Sequence, residues 1–359
     1  MKKVIVVLVA IFVCLAVCMG SFACNNAATR PQQGQDPVDK DSSQSADQDP
    51  VGDKETYTVF APDGAPALAL AKMMKDNAAV AGHAMDYRII GAANVAASMI
   101  NGDADFIIAP TNAGVMQSIN TDNYYMLGVT SWGNLYIVTT NDGYEALADN
   151  ATTADAAAFL EQFAAKSISS IGNNQVPDNS LKYLLGLQNV DCTVADGVDA
   201  ATIQADLIAG SVDCALLGEP AATATKALLA KNGVTNYRIL GSLSAVWQSL
   251  TGLAYPQAGI FVKKSVAADQ AFIAAFESTL AASIDYFNAS AANAEELGNY
   301  MQSREDNSLK GAIVKQCYLR TAQSYRSASA AKEDVKRLVG VLVPRLADGN
   351  YDGVFYQAQ

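Results

Sequence analysis

Histidine is nearly absent: His83 is the only one in 359 residues, and it falls in a polar stretch between an expected helix and an expected strand. Hydrolytic or transfer chemistry near neutral pH usually draws on an imidazole or another tuned base, so the shortage argues against an enzyme, and His83 is read as a surface residue. The sequence also holds no Gly-x-Ser-x-Gly elbow, no phosphate-binding glycine loop and no paired histidines at metal-ligand spacing. Positive charge is scarce, with 24 Lys and Arg against 36 Asp and Glu and a formal charge of -12. A phosphate backbone needs a basic surface, which argues against nucleic acid as a partner. Only Cys192, Cys214 and Cys317 lie beyond residue 24, at spacings unlike a zinc ribbon. No metal and no cofactor are expected.

What is present begins with an export signal. Lys2 and Lys3 precede an apolar run from Val4 to Val17, and Ser21-Phe22-Ala23-Cys24 follows. A small residue before a cysteine suits cleavage after residue 23 and lipid attachment to Cys24. Ser21 stands where such signals usually carry Leu, and the competing Leu15-Ala16-Val17-Cys18 has the Leu but a poor Val17. The alternative is an uncleaved anchor, since Val4 to Ala23 is about long enough for a hydrocarbon core of ~30 Å. Either way the rest lies outside the cytoplasm. Residues 24–55 are rich in Asn, Gln, Asp, Ser and Pro and cannot offset the entropy of ordering, so they read as a tether. Losing Lys2 and Lys3 with residues 1–23 would take the charge from -12 to -14.

The remaining three hundred or so residues exceed what one core usually serves, so two lobes are expected. Apolar runs, turns rich in Gly, Pro or Asn, and amphipathic helices alternate, the rhythm of a parallel sheet covered on both faces. The first lobe is expected to comprise 56–140 and 255–359, and the second 141–254. Within them Tyr124 to Thr140 reads as the crossover out, and Gly259 to Val262 as the return. Phe272, Phe276, Leu280, Ile284 and Phe287 recur at helical spacing and read as core-facing. Further helices are expected over Ala294 to Arg304, Ser308 to Ser327 and Lys332 to Leu346.

Three segments carry a resemblance. They are Ala61-Pro62-Asp63-Gly64-Ala65-Pro66, Asn101-Gly102-Asp103-Ala104-Asp105 with Ala109-Pro110-Thr111-Asn112, and Gly210-Ser211-Val212-Asp213 with Leu217-Gly218-Glu219-Pro220. In that order, over roughly Thr56 to Leu346, the chain resembles the nitrate, sulfonate, taurine and thiamine-precursor binding lipoproteins of ABC importers (NMT1/THI5-like). The resemblance implies an α/β, type II periplasmic-binding-protein fold, with two doubly wound lobes joined by two crossover segments and a solute held between them. It also implies a permease and ATPase complex as partner, a membrane anchor through lipid, and a monomer. A sensor subunit, or an enzyme of pyrimidine-precursor synthesis on the same fold, are the alternatives. The enzyme would need histidine, lysine and a cysteine-rich motif that this chain does not repeat.

In doubly wound sheets the crevice lies beyond the carboxyl ends of the strands, where helix N-termini present free N–H groups. The candidate ligand residues are therefore Asp63, Gly64, Asn94, Thr111, Asn112, Trp132, Asn173, Asn174, Gln175 and Glu219, with Trp247 and Tyr255 flanking the cleft. Turn and cap roles compete for Asp63, Asn94, Thr111, Asn112 and Glu219, and core filling competes for both tryptophans. These loops contain two carboxylates and no Arg or Lys, which suits a neutral or cationic heterocycle better than a sulfonate or nitrate, although helix N-termini alone can hold an oxyanion. In this topology the first strand of a lobe lies between the second and third. The Cys192 and Cys214 strands are then two spacings of about 4.8 Å apart, beyond disulfide reach, and their thiols are expected to be free and buried.

Overall fold

The computed structural model describes residues 54–172 and 175–358. The signal, tether and Cys24 expectations, and those for Asn173 and Asn174, lie outside the described residues. Strands β1 (Thr56–Pro62), β2 (Ala84–Ile90), β3 (Phe106–Pro110) and β4 (Tyr124–Ser131) come first along the chain. They are followed by β5 (Leu135–Thr139), β6 (Ser167–Ile171), β7 (Thr193–Val198), β8 (Cys214–Gly218) and β9 (Arg238–Ser242), then β10 (Ala258–Lys263) and β11 (Gln323–Ser327). Two sheets result, ordered β11-β4-β10-β3-β1-β2 and β7-β6-β8-β5-β9. In each, the first strand of the parallel unit is flanked by the next two, β2-β1-β3 and β7-β6-β8.

The sheets are mixed instead of wholly parallel. β10 runs antiparallel to β3 and β4, and β5 antiparallel to β8 and β9. Both are strands by which the chain enters a sheet from the other one, without the helical crossover that forces parallel pairing. Leu135–Thr139, expected with the first lobe, is accordingly a strand of the second sheet.

Helices α1 (Ala71–Asp76), α2 (Val95–Asn101) and α3 (Thr111–Thr121) belong with the first sheet. Next along the chain come α4 (Thr153–Glu161), α5 (Val176–Leu187), α6 (Ala200–Ala209), α7 (Ala221–Lys231) and α8 (Leu243–Thr251), with the second. The C-terminal part adds α9 (Gln270–Ala289), α10 (Ala291–Ser303), α11 (Gly311–Cys317) and α12 (Ala328–Leu342). Local chemistry sets many ends. A reciprocal Thr152–Asp155 capping box starts α4, and the Asp269 carboxylate accepts from the Phe272 N–H at the start of α9. The five apolar residues of α9 named above are all buried, and Phe276 stacks on Phe106 with centroids 3.8 Å apart.

The Gly-x-x-Asp spacing shared by Gly102 to Asp105 and Gly210 to Asp213 has a structural reading. Gly102 and Gly210 close α2 and α6 at φ 70° and 68°, where a side chain is disfavoured. Three residues later, Asp105 accepts from the Thr58 N–H at 2.8 Å, and Asp213 accepts from the Asn141 side-chain amide at 2.7 Å. Each aspartate fastens the start of one strand to another segment of its own sheet.

Two local readings are corrected. Ser308 to Ser327 is not one helix: α11 passes into a short 3-10 turn over Tyr318–Thr321, Ala322 takes φ 51°, and β11 pairs with β4 as the edge of the first sheet. Tertiary contacts override propensity here, because the Tyr325 hydroxyl reaches Leu127 O and the Glu277 carboxylate. Leu243–Thr251, given no element from sequence, is a helix capped by Ser242. Among the described residues no helix is long and apolar enough to cross a membrane.

The expected strand order separates Cys192 from Cys214, since β6 lies between β7 and β8, and Cys192, Cys214 and Cys317 are free. Cys192 is half-buried, not buried as expected, because it precedes edge strand β7. Burial pushes its thiol up to about 11 and that of Cys317 up to about 12. At pH 8 the thiolate fraction of Cys192 is on the order of one in a thousand. Site-by-site alkylation read by mass spectrometry is therefore expected to be slow at all three cysteines in the folded protein and fast in denaturant; rapid labelling of Cys317 without denaturant would contradict its burial.

Candidate functional site

Two covalent crossings join the sheets. Trp132-Gly133-Asn134 leads from β4 to β5, and Leu253–Gln257 leads from α8 to β10. Gly133 sits at φ 104°, and a Cβ there would come within 2.5 Å of the Ser244 Cβ, so only glycine fits. The crossings are bonded to each other. The Gln257 N–H donates to Ser131 O at 2.9 Å, and its side-chain Oε1 accepts from the Asn134 N–H at 2.8 Å.

Each crossing also holds a strand end from one sheet. On the side of the first sheet, the Thr111 N–H at the start of α3 donates to Gln257 O at 3.0 Å. On the other side, the Glu219 N–H, just past β8, donates to Asn134 O at 2.8 Å, and the Asn134 amide nitrogen donates to Glu219 O at 3.1 Å. The carboxyl ends of β3 and β8 thus meet through Gln257 and Asn134.

A third, non-covalent connection runs beside them. The Thr321 carbonyl accepts from the Ser131 hydroxyl, and the Ala322 carbonyl from the Trp132 N–H. Arg320 reaches into the second lobe, its Nε 2.7 Å from Glu219 Oε1 and its Nη2 2.6 Å from Thr223 Oγ1. The Thr223 N–H and hydroxyl also donate to the Glu219 carboxylate, and the Tyr136 hydroxyl donates to Arg320 O. The Glu219 side chain has no exposure, while that of Arg320 keeps 38%. α12 spans the lobes at another place: Val335 and Val339 pack in the first core and Leu338 in the second, while Asp334 accepts from the Ala254 N–H.

Of the residues picked from sequence, Thr111, Asn112, Trp132 and Glu219 gather around these crossings. Thr111 and Glu219 are buried, and Thr111 Oγ1 and Asn112 Oδ1 have no partner among the described residues. Such buried atoms cost about 1–3 kcal/mol each when left unsatisfied. Trp132 is mostly committed to structure: its indole N–H donates to Ser324 O, and Arg326 lies 3.9 Å over its ring. Asp63 accepts from the Ser308 N–H at 2.9 Å, a tie within the first lobe. Gly64 takes φ 100° with open space where a Cβ would stand. Asn94 and Gln175 are exposed at helix starts and make no side-chain capping bond.

Trp247 and Tyr255 do not flank a cleft. Trp247 is fully buried on α8 in the second core, its ring against Tyr183 and Tyr255. Tyr255 is 1% exposed, with its hydroxyl 2.8 Å from Ser180 Oγ. The unforeseen helix α8 turns Trp247 inward with Leu243 and Val246. Sequence reasoning also missed Gln257, Arg320 and Gln323. Gln257 lies two residues after Tyr255 and had a local signal as the polar residue before a crossover strand; the other two fall in the stretch misread as a helix. A pocket of about 570 Å³ between Tyr125, Lys264, Gln270 and Tyr356 lies at the opposite ends of β4 and β10 from the crossings. Among the described residues no group of three or more His, Cys, Asp or Glu is placed to hold a metal ion.

No family model matches the chain, and no curated protein matches it. Solved structures do match. A protein described as an ABC transporter from Parabacteroides distasonis is 20% identical with a TM-score of 0.66, over 85% of this chain and 100% of that one. The periplasmic aliphatic sulphonate-binding protein of Escherichia coli is 13% identical with a TM-score of 0.60, over 85% and 93%. The periplasmic nitrate-binding protein of Synechocystis PCC 6803 is 12% identical with a TM-score of 0.58, over 84% and 83%. At such identities the likeness speaks to architecture, and with the two sheets and their crossings it establishes that this chain has the type II periplasmic-binding-protein fold.

Proposed function

We propose that the chain is the extracytoplasmic solute-binding component of an ABC importer, which captures a small organic solute between two lobes and performs no chemistry on it. What carries this reading is the meeting of strand carboxyl ends from both sheets at the paired crossings, Thr111 through Gln257 and Glu219 through Asn134. Ligands of doubly wound folds sit beyond such strand ends. The ABC-transporter, sulphonate-binding and nitrate-binding descriptions of the similar structures support the same role. His83 adds no base to this region, since its ring lies edge-on to Tyr57 and Phe272, 5.4 Å from each.

In this proposal one lobe takes 56–131 with 258–359 and the other 135–252, with the exchanges between them at Trp132–Asn134 and Leu253–Gln257. Lipid on Cys24 and the 24–55 tether hold a monomer at the outer face of the membrane, within reach of its permease and ATPase. Solute touching both lobes shifts the population towards a closed form that the permease reads. Native mass spectrometry of gently purified protein is expected to retain a small molecule, and small-angle scattering is expected to contract when the stripped protein is saturated with it. A profile that does not change on saturation would remove the closure mechanism. Replacement of Cys24 by Ser is expected to release the protein from membranes, read by fractionation.

A further inference from the structure

Around the crossings lie acceptor atoms that the described fold does not use. The register sets Pro110, Ala258, Ser131 and Gln323 abreast on β3, β10, β4 and β11. Gln323 is 3% exposed. Its amide nitrogen donates to the carbonyls of Ala65 and Thr321, each at 3.1 Å, which fixes the orientation of the amide. Its Oε1 accepts nothing among the described residues. Asn134, 6% exposed, repeats the pattern: its nitrogen is spent on Glu219 O, and its Oδ1 has no donor among the described residues.

The nearby cations are engaged. Arg320 is bound to Glu219 and Thr223, and Arg326 lies over Trp132 with Asp334 3.7 Å away. An oxyanion brings only acceptors, so it would set its oxygens against two amide oxygens beside two guanidiniums that are already engaged, with the Thr111 hydroxyl as the unpartnered donor among the described residues at the crossings. A molecule bearing N–H groups supplies what both amides need.

We propose that Gln323 and Asn134 are solute-recognising residues, and that they select solutes presenting N–H donors, amines and nitrogen heterocycles, over sulfonates and nitrate. The proposal rests on the solute-binding reading and sharpens it. Thermal-shift titrations of the full chain test it with putrescine, cytosine and adenine as donor probes, and ethanesulfonate and nitrate as oxyanion probes. At least one donor probe is expected to raise the midpoint, while the oxyanions leave it unchanged. Gln323→Met and, separately, Asn134→Thr are expected to weaken that probe about tenfold, with circular dichroism confirming that each variant folds. Stabilisation by an oxyanion and by no donor probe overturns the proposal and leaves the importer reading standing. Unchanged donor affinity in both folded variants overturns the assignment of these two residues. No shift with either set of probes overturns the donor selectivity proposed here, while the importer reading stands or falls on the molecule retained in the native mass spectrum.

Discussion

Replacing Arg320 with Met is expected to lower stability by about 2–4 kcal/mol. Removing one partner of a buried ion pair strands the other charge, which typically costs about 3–5 kcal/mol; the partial exposure of Arg320 reduces the figure. The Glu219 side chain has no exposure, and without the guanidinium it keeps the Thr223 N–H and hydroxyl as donors but no neutralising charge. For a chain of this size the melting midpoint falls by roughly 3–6 °C. The double variant Glu219→Gln with Arg320→Met should recover much of the loss, because a neutral amide still accepts from Thr223 and leaves no buried charge. Thermal denaturation followed by circular dichroism measures all three proteins. Were Arg320→Met as stable as the parent, the carboxylate would have to reach water by some movement of the lobes, and the pair would not fasten them together.

Trp247 separates a core role from a ligand role. Trp247→Ala is expected to cost about 3–5 kcal/mol, as for other large aromatic side chains removed from a packed core. Trp247→Phe keeps most of the packing against Tyr183 and Tyr255, and it removes an indole N–H that has no partner among the described residues. That variant should therefore stay folded, with solute affinity within about twofold of the parent. A Phe variant that melts normally but no longer responds to solute would return Trp247 to the cleft.

The residues that resemble solute-binding proteins were legible where they serve a local need. Gly102 and Gly210 end helices in the left-handed region, a need met within a few residues that leaves a short motif, although Asp105 and Asp213 in the same motifs tie strand starts to Thr58 and Asn141, 47 and 72 residues away. The apolar spacing of α9 was legible for the same reason. Arg320 and Gln323 were not, because their partners lie far along the chain: Glu219 is 101 residues from Arg320, and Ala65 is 258 from Gln323. The polar strand Gln323–Ser327 looks like the continuation of a helix until β4 offers it an edge.

By itself the sequence determined the alternation of strand and helix and the helix-ending turns, since periodicity and backbone chemistry act over one or two turns of chain. The order of the parallel strands in each lobe followed only from the fold that the resemblance implies. Only the tertiary structure decided that β5 and β10 run against their neighbours, that Trp247 points into a core, and that Gln257, Asn134 and Arg320 knit the two lobes together. Those outcomes depend on which distant segments compete for the same space and the same hydrogen bonds, and no local stretch of sequence carries that information.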